Sequence, residues 1–323
     1  MSENTNTLKL ELSSTPHIHS FWDTQKAMWM VVLSLVPPLI SGAIFFGPYQ
    51  LLVVLTSVVF CIGTEYVIRY LRKKPITIMD GSAFITGILL GLILPPNFSL
   101  VFTAIGAVIA IGLGKEIFGG LGYNIFNPAL IGRAFLQAAF PVQMTTWTHT
   151  NFAVDAVTSA TPLSIFKFGD AAAKSGVTLS NSFFGNISGS IGETSAIAIL
   201  AAGIFLIAIK IVNWRTPLAM VISLFVFSGI FYFMDPSKYP SPLLMLFTGG
   251  FMFGAVYMAT DWVTSPMTNK GMWIYGAGIS LIVVVIRLFG GLPEGVMYAI
   301  LIMNGFVPLI NRNTKPVIFG EAK

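Results

Sequence analysis

Residues 28–46 read MWMVVLSLVPPLISGAIFF, nineteen residues without a charged side chain. As a helix this stretch would rise about 28 Å, close to the thickness of the hydrocarbon core of a bilayer. Similar apolar runs recur as far as residue 309, and the whole chain is 55% hydrophobic and only 10% charged. A water-soluble domain carries about 25% charged residues. The sequence therefore predicts an all-α polytopic membrane protein.

Apolar runs separated by glycine, proline and charged residues predict ten transmembrane helices. The third and fourth are short and rich in glycine, which is typical of helices that are broken or buried inside a bundle. The predicted helices span residues 28–46, 51–70, 81–94, 99–114, 124–140, 194–211, 217–234, 242–260, 271–289 and 294–310.

The distribution of Lys and Arg predicts the orientation of these helices. Thirteen of these residues fall on the side of the N-terminus and four on the opposite side, and loops rich in Lys and Arg stay in the cytoplasm. No cleaved signal peptide is expected before the first span. The predicted segments are a cytoplasmic tail (1–26), a five-helix unit (27–140), an extracytoplasmic loop (141–193), a second five-helix unit (194–310) and a cytoplasmic tail (311–323).

The two five-helix units share short sequence matches at a constant offset of 171 residues. Residues 117–121 read IFGGL and residues 288–292 read LFGGL, and the same offset pairs Thr77 with Thr248. Because each unit has an odd number of spans, the copies would cross the bilayer in opposite directions. The sequence therefore predicts an inverted repeat, which is typical of a transporter-like core but also arises as an architectural relic of duplication.

Several features argue against other functions. Cys61 is the single cysteine, so this chain alone cannot build an iron–sulfur cluster or a disulfide. His17 and His19 lie on the polar tail without further metal ligands nearby. Lys115 and Glu116 are predicted to be a solvated pair at a cytoplasmic helix end. The net charge of +5 follows the membrane topology, so no nucleic-acid partner is expected.

One segment of the extracytoplasmic loop is rich in small and hydroxyl side chains. Residues 151–163 read NFAVDAVTSATPL, and Pro162 biases Thr161 toward extended backbone. Thr161 is therefore predicted to present an exposed hydroxyl to a modifying enzyme. Because such loops are also common without any modification, the residues alone leave both interpretations open.

Residues 155–161, DAVTSAT, resemble the acceptor motif of periplasmic flavin transferases, with Ser159 where glycine is more frequent. Further segments resemble the membrane-flavin subunit family, which comprises the D subunits of Rnf complexes and the B subunits of Na⁺-translocating NADH:quinone reductases. Trp262 stands where that family leads us to expect proline. The matching segments are Asp80–Ala83 with Thr86 and Gly87, Gly122–Ala129 with Gly132–Phe135, and Ala259–Asp261 with Thr264–Pro266.

The resemblance implies FMN joined to Thr161 by a phosphoester, with Asp155, Thr158, Ser159 and Ala160 recognised by the transferase. It implies a relay subunit, not catalytic alone, in a complex of the cell inner membrane that moves electrons from ferredoxin to NAD⁺ and translocates Na⁺ or H⁺. The expected partners are the other Rnf subunits and the flavin transferase, and a noncovalent riboflavin is a second expected cofactor. The short polar N-terminal segment favours the D branch over the B branch; a secondary transporter without a redox cofactor is the other alternative.

Five polar residues within or beside the predicted spans are candidate site residues. Asn124, Asn127 and Arg133 lie at the start of the fifth helix, where unpaired N–H groups and a cation can receive a flavin or an ion. They can equally cap the helix and bind its carbonyls. Asp80 and Asp261 lie near the ends of repeat-related helices and are candidates for an ion path or for helix caps.

Overall fold

The computed structural model describes residues 23–147, 160–169, 178–236 and 238–315. Within these ranges the chain is helical and contains no strand. Helices are the form in which a single segment satisfies its own backbone hydrogen bonds in lipid. The chain is thus a multi-pass membrane protein. In the part of the chain that the structure describes, five helical segments are long and apolar enough to cross a membrane: Thr24–Phe46, Tyr49–Leu71, Leu100–Phe118, Arg215–Met234 and Asn269–Phe289.

The helices follow one another in two groups joined by an irregular segment. The first group is α1 (Thr24–Phe46), α2 (Tyr49–Leu71), α3 (Ser82–Ile93), α4 (Leu100–Gly112) and α5 (Pro128–Ala139). The connecting segment holds short helices α6 (Pro141–Thr145), α7 (Pro162–Phe168) and α8 (Leu179–Phe184). The second group is α9 (Ala196–Ala208), α10 (Arg215–Met234), α11 (Pro242–Phe247), α12 (Phe251–Phe253, continued by a π-helical turn over Gly254–Met258), α13 (Asn269–Phe289) and α14 (Val296–Asn313).

Nine of the ten predicted ranges each overlap one of these helices, with ends that differ by a few residues, and the eighth is wrong as a single helix. Residues 242–260 are interrupted at Gly249 and Gly250, whose φ angles of 68° and 66° lie in the left-handed region. Glycine adopts this conformation without the steric cost of a Cβ, so the helix stops and restarts there. The number of spans and the inverted repeat stay predictions.

The third predicted helix is buried as expected, whereas the fourth is not. In α3, ten of the twelve residues are buried. In α4 the side chains of Val101 and Val108 are exposed, and the helix continues as a long apolar segment to Phe118. The glycines of α4 therefore serve helix packing on one face while the other face remains available to lipid.

Close contact between α2 and α3 depends on two glycines one turn apart. A Cβ on Gly87 would lie 2.5 Å from the Val58 Cα, and a Cβ on Gly91 would lie 2.7 Å from the Val54 Cα. Small residues at this spacing allow two helix backbones to approach within a membrane, where burial of apolar surface provides little driving force. The central helix α3 is therefore held against α2 by backbone-to-backbone packing.

Two short elements, α3 and Phe251–Met258, form the centre of the bundle. Every residue from Phe251 to Met258 is buried. Around them α2 packs on α4 and α4 on α5, and the same order recurs in the second half, where α10 packs on α13 and α13 on α14. The Tyr257 hydroxyl donates to the Ser34 carbonyl at 2.7 Å and ties the centre to α1. Asn127, Arg133 and Asp261 line cavities beside these central elements.

We expect Gly87→Ala to destabilise the chain by about 1–3 kcal/mol, because the new methyl group must displace the α2 backbone. Gly63→Ala on α2 is the matched control, since a Cβ there meets no atom within 4 Å. It should be neutral or stabilising by about 0.5–1 kcal/mol, the usual advantage of alanine in a helix. Thermal unfolding in detergent measures both; equal midpoints for the two variants would contradict this packing.

Candidate functional site

A cavity of about 100 Å³ opens between the two groups of helices at one end of the bundle. We call this the inner end, where α1 begins and α2 ends, and the opposite end the outer end. The walls of the inner cavity are mostly apolar, with a few polar side chains that converge from both groups of helices. These polar residues are Ser82, Thr86, Lys115, Asn124, Asn127, Tyr257, Thr260 and Asp261.

A buried network of four charged side chains borders the inner cavity. Lys115 Nζ lies 2.8 Å from Glu65 Oε2, and Arg69 Nε lies 3.1 Å from Glu116 Oε1 and 3.4 Å from Glu65 Oε1. The prediction of a solvated Lys115–Glu116 pair is therefore wrong, since both residues are nearly inaccessible. They can be buried because Glu65 and Arg69, one turn apart on α2, neutralise them.

Asp80 and Asp261 both lie at the inner end, and both accept local hydrogen bonds. Asp80 Oδ1 accepts from the Ser82 N–H at 2.8 Å and from the Ser82 hydroxyl at 2.6 Å, a local turn contact at the start of α3. Asp261 accepts from the Thr264 hydroxyl at 2.9 Å and lines the inner cavity. Among the residues described, no three His, Cys, Asp or Glu side chains are grouped to hold a metal ion. The ion path through these two residues stays a prediction.

Asn127 joins the two halves of the bundle at the start of α5. Its Oδ1 accepts from the N–H groups of Ala129 and Leu130, so it caps the helix. Its Nδ2 donates to the Met258 carbonyl at 3.4 Å, at the end of the π-helical turn. Asn124, three residues earlier and outside the helix, lines the same cavity. The capping interpretation is confirmed for Asn127, and its position on the cavity wall leaves the binding role as a prediction.

Arg133 lies apart from the two asparagines, in a second and smaller cavity nearer the outer end. Its Nη2 lies 2.8 Å from Glu294 Oε2, and its Nη1 lies 4.0 Å from Glu193 Oε1. The sequence did not identify either glutamate, since both are remote along the chain. The sequence indicated only that Arg133, as an arginine inside a membrane, would require a counter-ion, and it did not indicate which residue that is.

Thr161 is the N-cap of α7, and the prediction of an exposed hydroxyl is wrong. Its φ and ψ of −67° and 153° are extended as expected, yet the residue is only 4% exposed. Its Oγ1 accepts from the Ser164 N–H at 3.3 Å and donates to the Ser164 Oγ at 3.2 Å. Proline is common at the first position of a helix and threonine is common at the N-cap. The pair Thr161–Pro162 therefore starts a helix, in which the Thr161 hydroxyl serves as the cap.

The remaining residues of the predicted acceptor motif are described only in part. Ala160 is exposed beside the buried Thr161. Asp155, Thr158 and Ser159 lie outside the described residues. Recognition of this segment by a transferase therefore stays a prediction.

Helix α7 is anchored to the outer end of the bundle by Lys167. The Lys167 ammonium donates to the carbonyls of Ile286 at 3.1 Å and Leu292 at 2.8 Å. Partial burial lowers the pKa of Lys167. Leu163, also on α7, packs so closely on Gly249 that a Cβ there would lie 2.2 Å from the Leu163 Cδ1. The helix that carries Thr161 thus rests on the break between α11 and α12.

The fold and the site define a polytopic membrane protein whose interior holds compensated charges beside two cavities, a class in which such charges mark paths for ions or substrates. The model of the NQR2, RnfD, RnfE family matches residues 11–320, and the chain belongs to this family.

Three relatives cover nearly the whole chain. The D subunit of the proton-translocating ferredoxin:NAD(+) oxidoreductase complex of Clostridium ljungdahlii is 43% identical over 97% of this chain and 96% of its own length. The D subunit of the Na(+)-translocating complex of Acetobacterium woodii is 41% identical over 98% of each chain. The D subunit of the ion-translocating oxidoreductase complex of Aliivibrio salmonicida is 37% identical over 97% of this chain and 99% of its own.

Removing the Glu65 carboxylate should destabilise the bundle by about 3–5 kcal/mol, because Lys115 is then buried with one uncompensated charge. The double variant Glu65→Gln/Lys115→Met restores a neutral network and should recover most of that loss. Lys74→Met, at an exposed lysine nearby, is the control and should change nothing. Thermal unfolding in detergent gives the coupling energy; additive effects of the two single substitutions would rule out the buried pair.

Proposed function

We propose that the chain is the membrane subunit of an ion-translocating complex that transfers electrons from ferredoxin to NAD⁺, and that it acts as a relay and is not catalytic alone. The observation that carries the proposal is similarity over nearly the full length to relatives named as D subunits of such complexes. The other subunits of the complex are then its partners.

The proposed carrier is FMN attached to Thr161, and the contacts of this residue are compatible with a phosphoester. Esterified Oγ1 can still accept from the Ser164 N–H, so the cap of α7 survives. The Ser164 hydroxyl keeps an acceptor in the Thr161 carbonyl, at 2.7 Å. When bound, the flavin would supply one- and two-electron chemistry at the outer end of the bundle.

The burial of Thr161 has a consequence for the order of events. A transferase must reach Oγ1 with FAD and a metal ion, and a residue that is 4% exposed does not allow this. Attachment therefore requires that α7 is detached from the bundle, and the phosphate of an attached FMN needs space around Oγ1 that the docked position of α7 does not leave. Lys167 is the side chain that opposes detachment, since it contacts two carbonyls of the neighbouring segment.

The inner cavity is the place that we propose for the noncovalent flavin. Its apolar walls suit a planar aromatic ring, while Lys115, Asn124 and Asn127 would supply hydrogen-bond donors to the carbonyls of that ring. Asp261 on the opposite wall would accept from a ring N–H. These side chains come from both halves of the bundle.

We also propose that the ten spans form an inverted repeat, and three observations support this. The packing order α2–α4–α5 recurs as α10–α13–α14. Arg133 on α5 and the fully buried Asn304 on α14 are 171 residues apart. The two cavities lie toward opposite ends, and the same offset relates residues of the inner cavity to residues of the outer one: Ser82 to Phe253 and Asn127 to Tyr298. With the N-terminus in the cytoplasm, Thr161 would lie outside.

The translocated ion is either Na⁺ or a proton, because relatives of nearly equal identity are named for different ions. The B subunit of a Na⁺-translocating NADH:quinone reductase is the second candidate within the family. A secondary transporter without a redox cofactor is the alternative outside it, favoured by the paired cavities. Covalent flavin distinguishes the redox subunits from that transporter.

Thr161→Val should abolish the fluorescence of the protein band on a denaturing gel under ultraviolet light, because the variant lacks the oxygen that forms the phosphoester. The chain is produced in cells that contain the flavin transferase. Ser164→Ala is the matched control. It removes the hydroxyl beside Thr161 but keeps the Thr161 Oγ1 to which the flavin is attached, so its band should stay fluorescent. A wild-type chain without fluorescence contradicts the flavin proposal, and a fluorescent Thr161→Val chain places the flavin on another residue.

Lys167→Met should increase the rate at which the purified, unmodified chain accepts flavin from the transferase, FAD and Mg²⁺. Hydrogen bonds to charged groups contribute about 1.5–3 kcal/mol each, so losing them should raise the detached fraction of α7 by at least about tenfold. Lys238→Met, at an exposed lysine of the same predicted side, is the control. Equal rates in both variants and the wild type would mean that docking of α7 does not limit attachment.

A further inference from the structure

One buried carboxylate oxygen in the outer cavity has no hydrogen-bond partner among the residues described. Glu193 has a side chain that is 5% exposed, and its Oε1 atom is unpaired. Glu294 takes the direct contact with Arg133 at 2.8 Å, which leaves Glu193 at 4.0 Å from the guanidinium. The outer cavity therefore holds one carboxylate oxygen that accepts no hydrogen bond from the residues described.

An unpaired carboxylate is costly in a medium of low polarity unless a cation compensates it. The charged groups that face Glu193 are Glu294, Arg133 and Arg287. The Nη atoms of Arg287 donate to backbone carbonyls, including those of Thr248 and Gly249 at 2.9 Å, and Arg133 is engaged by Glu294. Arg133 Nη1 lies 4.0 Å from Glu193 Oε1, beyond hydrogen-bond distance, and this oxygen accepts no hydrogen bond from the residues described, so it stays open to a further ligand.

The space beside Glu193 is the size of one small occupant. The outer cavity measures about 20 Å³, above the roughly 10–15 Å³ that one water molecule requires. Gly250 forms part of its wall, and a Cβ there would lie 2.8 Å from the Glu193 Oε1. The absence of a side chain at Gly250 therefore keeps the unpaired oxygen accessible from the cavity.

We propose that Glu193 is the main ligand of a site for one small monovalent cation, a proton or Na⁺, at the outer end of the bundle. The site rests on the proposed function, since a translocated cation must leave the membrane on the side opposite to the one it enters. An anion would be repelled by the carboxylate. Glu294 and Arg133 adjust the affinity, because any movement of the guanidinium toward Glu193 would displace the cation.

The test uses the whole complex in proteoliposomes, driven by reduced ferredoxin and NAD⁺. The measured quantities are NADH formed, ²²Na⁺ taken up and internal acidification reported by a pH-sensitive dye. In Glu193→Gln the ions moved per NADH should fall below about one third of the wild-type ratio, because the amide cannot carry the compensating charge. The covalent flavin band should stay intact.

Asp235→Asn is the matched control, a carboxylate removed at the outer end of α10 and outside the cavity. It should leave the ratio unchanged. A Glu193→Gln complex that keeps more than about one third of the wild-type ratio overturns the site. If the Glu193→Gln complex fails to assemble, Glu193→Asp is used instead, because it retains the charge on a shorter side chain. A changed dependence of the ions moved per NADH on Na⁺ or pH supports the site. An unchanged dependence overturns it.

The same experiment identifies the cation and separates the two levels of the proposal. Uptake of ²²Na⁺ by the wild type identifies Na⁺, whereas acidification that is independent of Na⁺ identifies the proton. Wild-type vesicles that form NADH without moving either ion contradict the proposed function itself. Coupled wild-type vesicles beside equally coupled Glu193→Gln vesicles contradict only the cation site.

Discussion

The absence of water in the hydrocarbon core is the constraint on which the structure depends. Each buried charge must find its compensation inside the protein, since the solvent cannot supply it. At the inner end Glu65 and Arg69 of α2 neutralise Lys115 and Glu116, which follow α4 by a few residues. These pairs connect segments that are distant in sequence, so the same contacts that remove unfavourable charges also fix how the helices are arranged.

The second determinant is the close approach of helix backbones, which creates the central region. Gly87 and Gly91 bring α3 against α2, and Gly249 and Gly250 interrupt the segment that ends at Met258. Short and interrupted elements leave space at their ends that continuous helices would fill. The inner and outer cavities lie at those ends, and the docked α7 rests on the glycine break.

Sequence reasoning succeeded where the signal was local and failed where it was not. The length of the apolar runs correctly predicted helices, and glycine content correctly predicted that α3 is buried. Pro162 correctly predicted extended backbone at Thr161. It failed for Lys115 and Glu116, because their partners lie about 50 residues away. It also failed for the exposure of Thr161, since burial there follows from the packing of α7 on the bundle and not from the residues of the loop.

The sequence by itself determined the membrane class, the approximate positions of the helices and the family motifs, because hydrophobic length and local backbone preferences act within a few residues. Only the tertiary structure decided which charges are compensated. Arg133 pairs with Glu294 and leaves Glu193 without a close partner, a choice that depends on distances of 2.8 and 4.0 Å between three separate segments. Electrostatic compensation in a medium of low polarity is a property of the assembled bundle, and no single stretch of the chain specifies it.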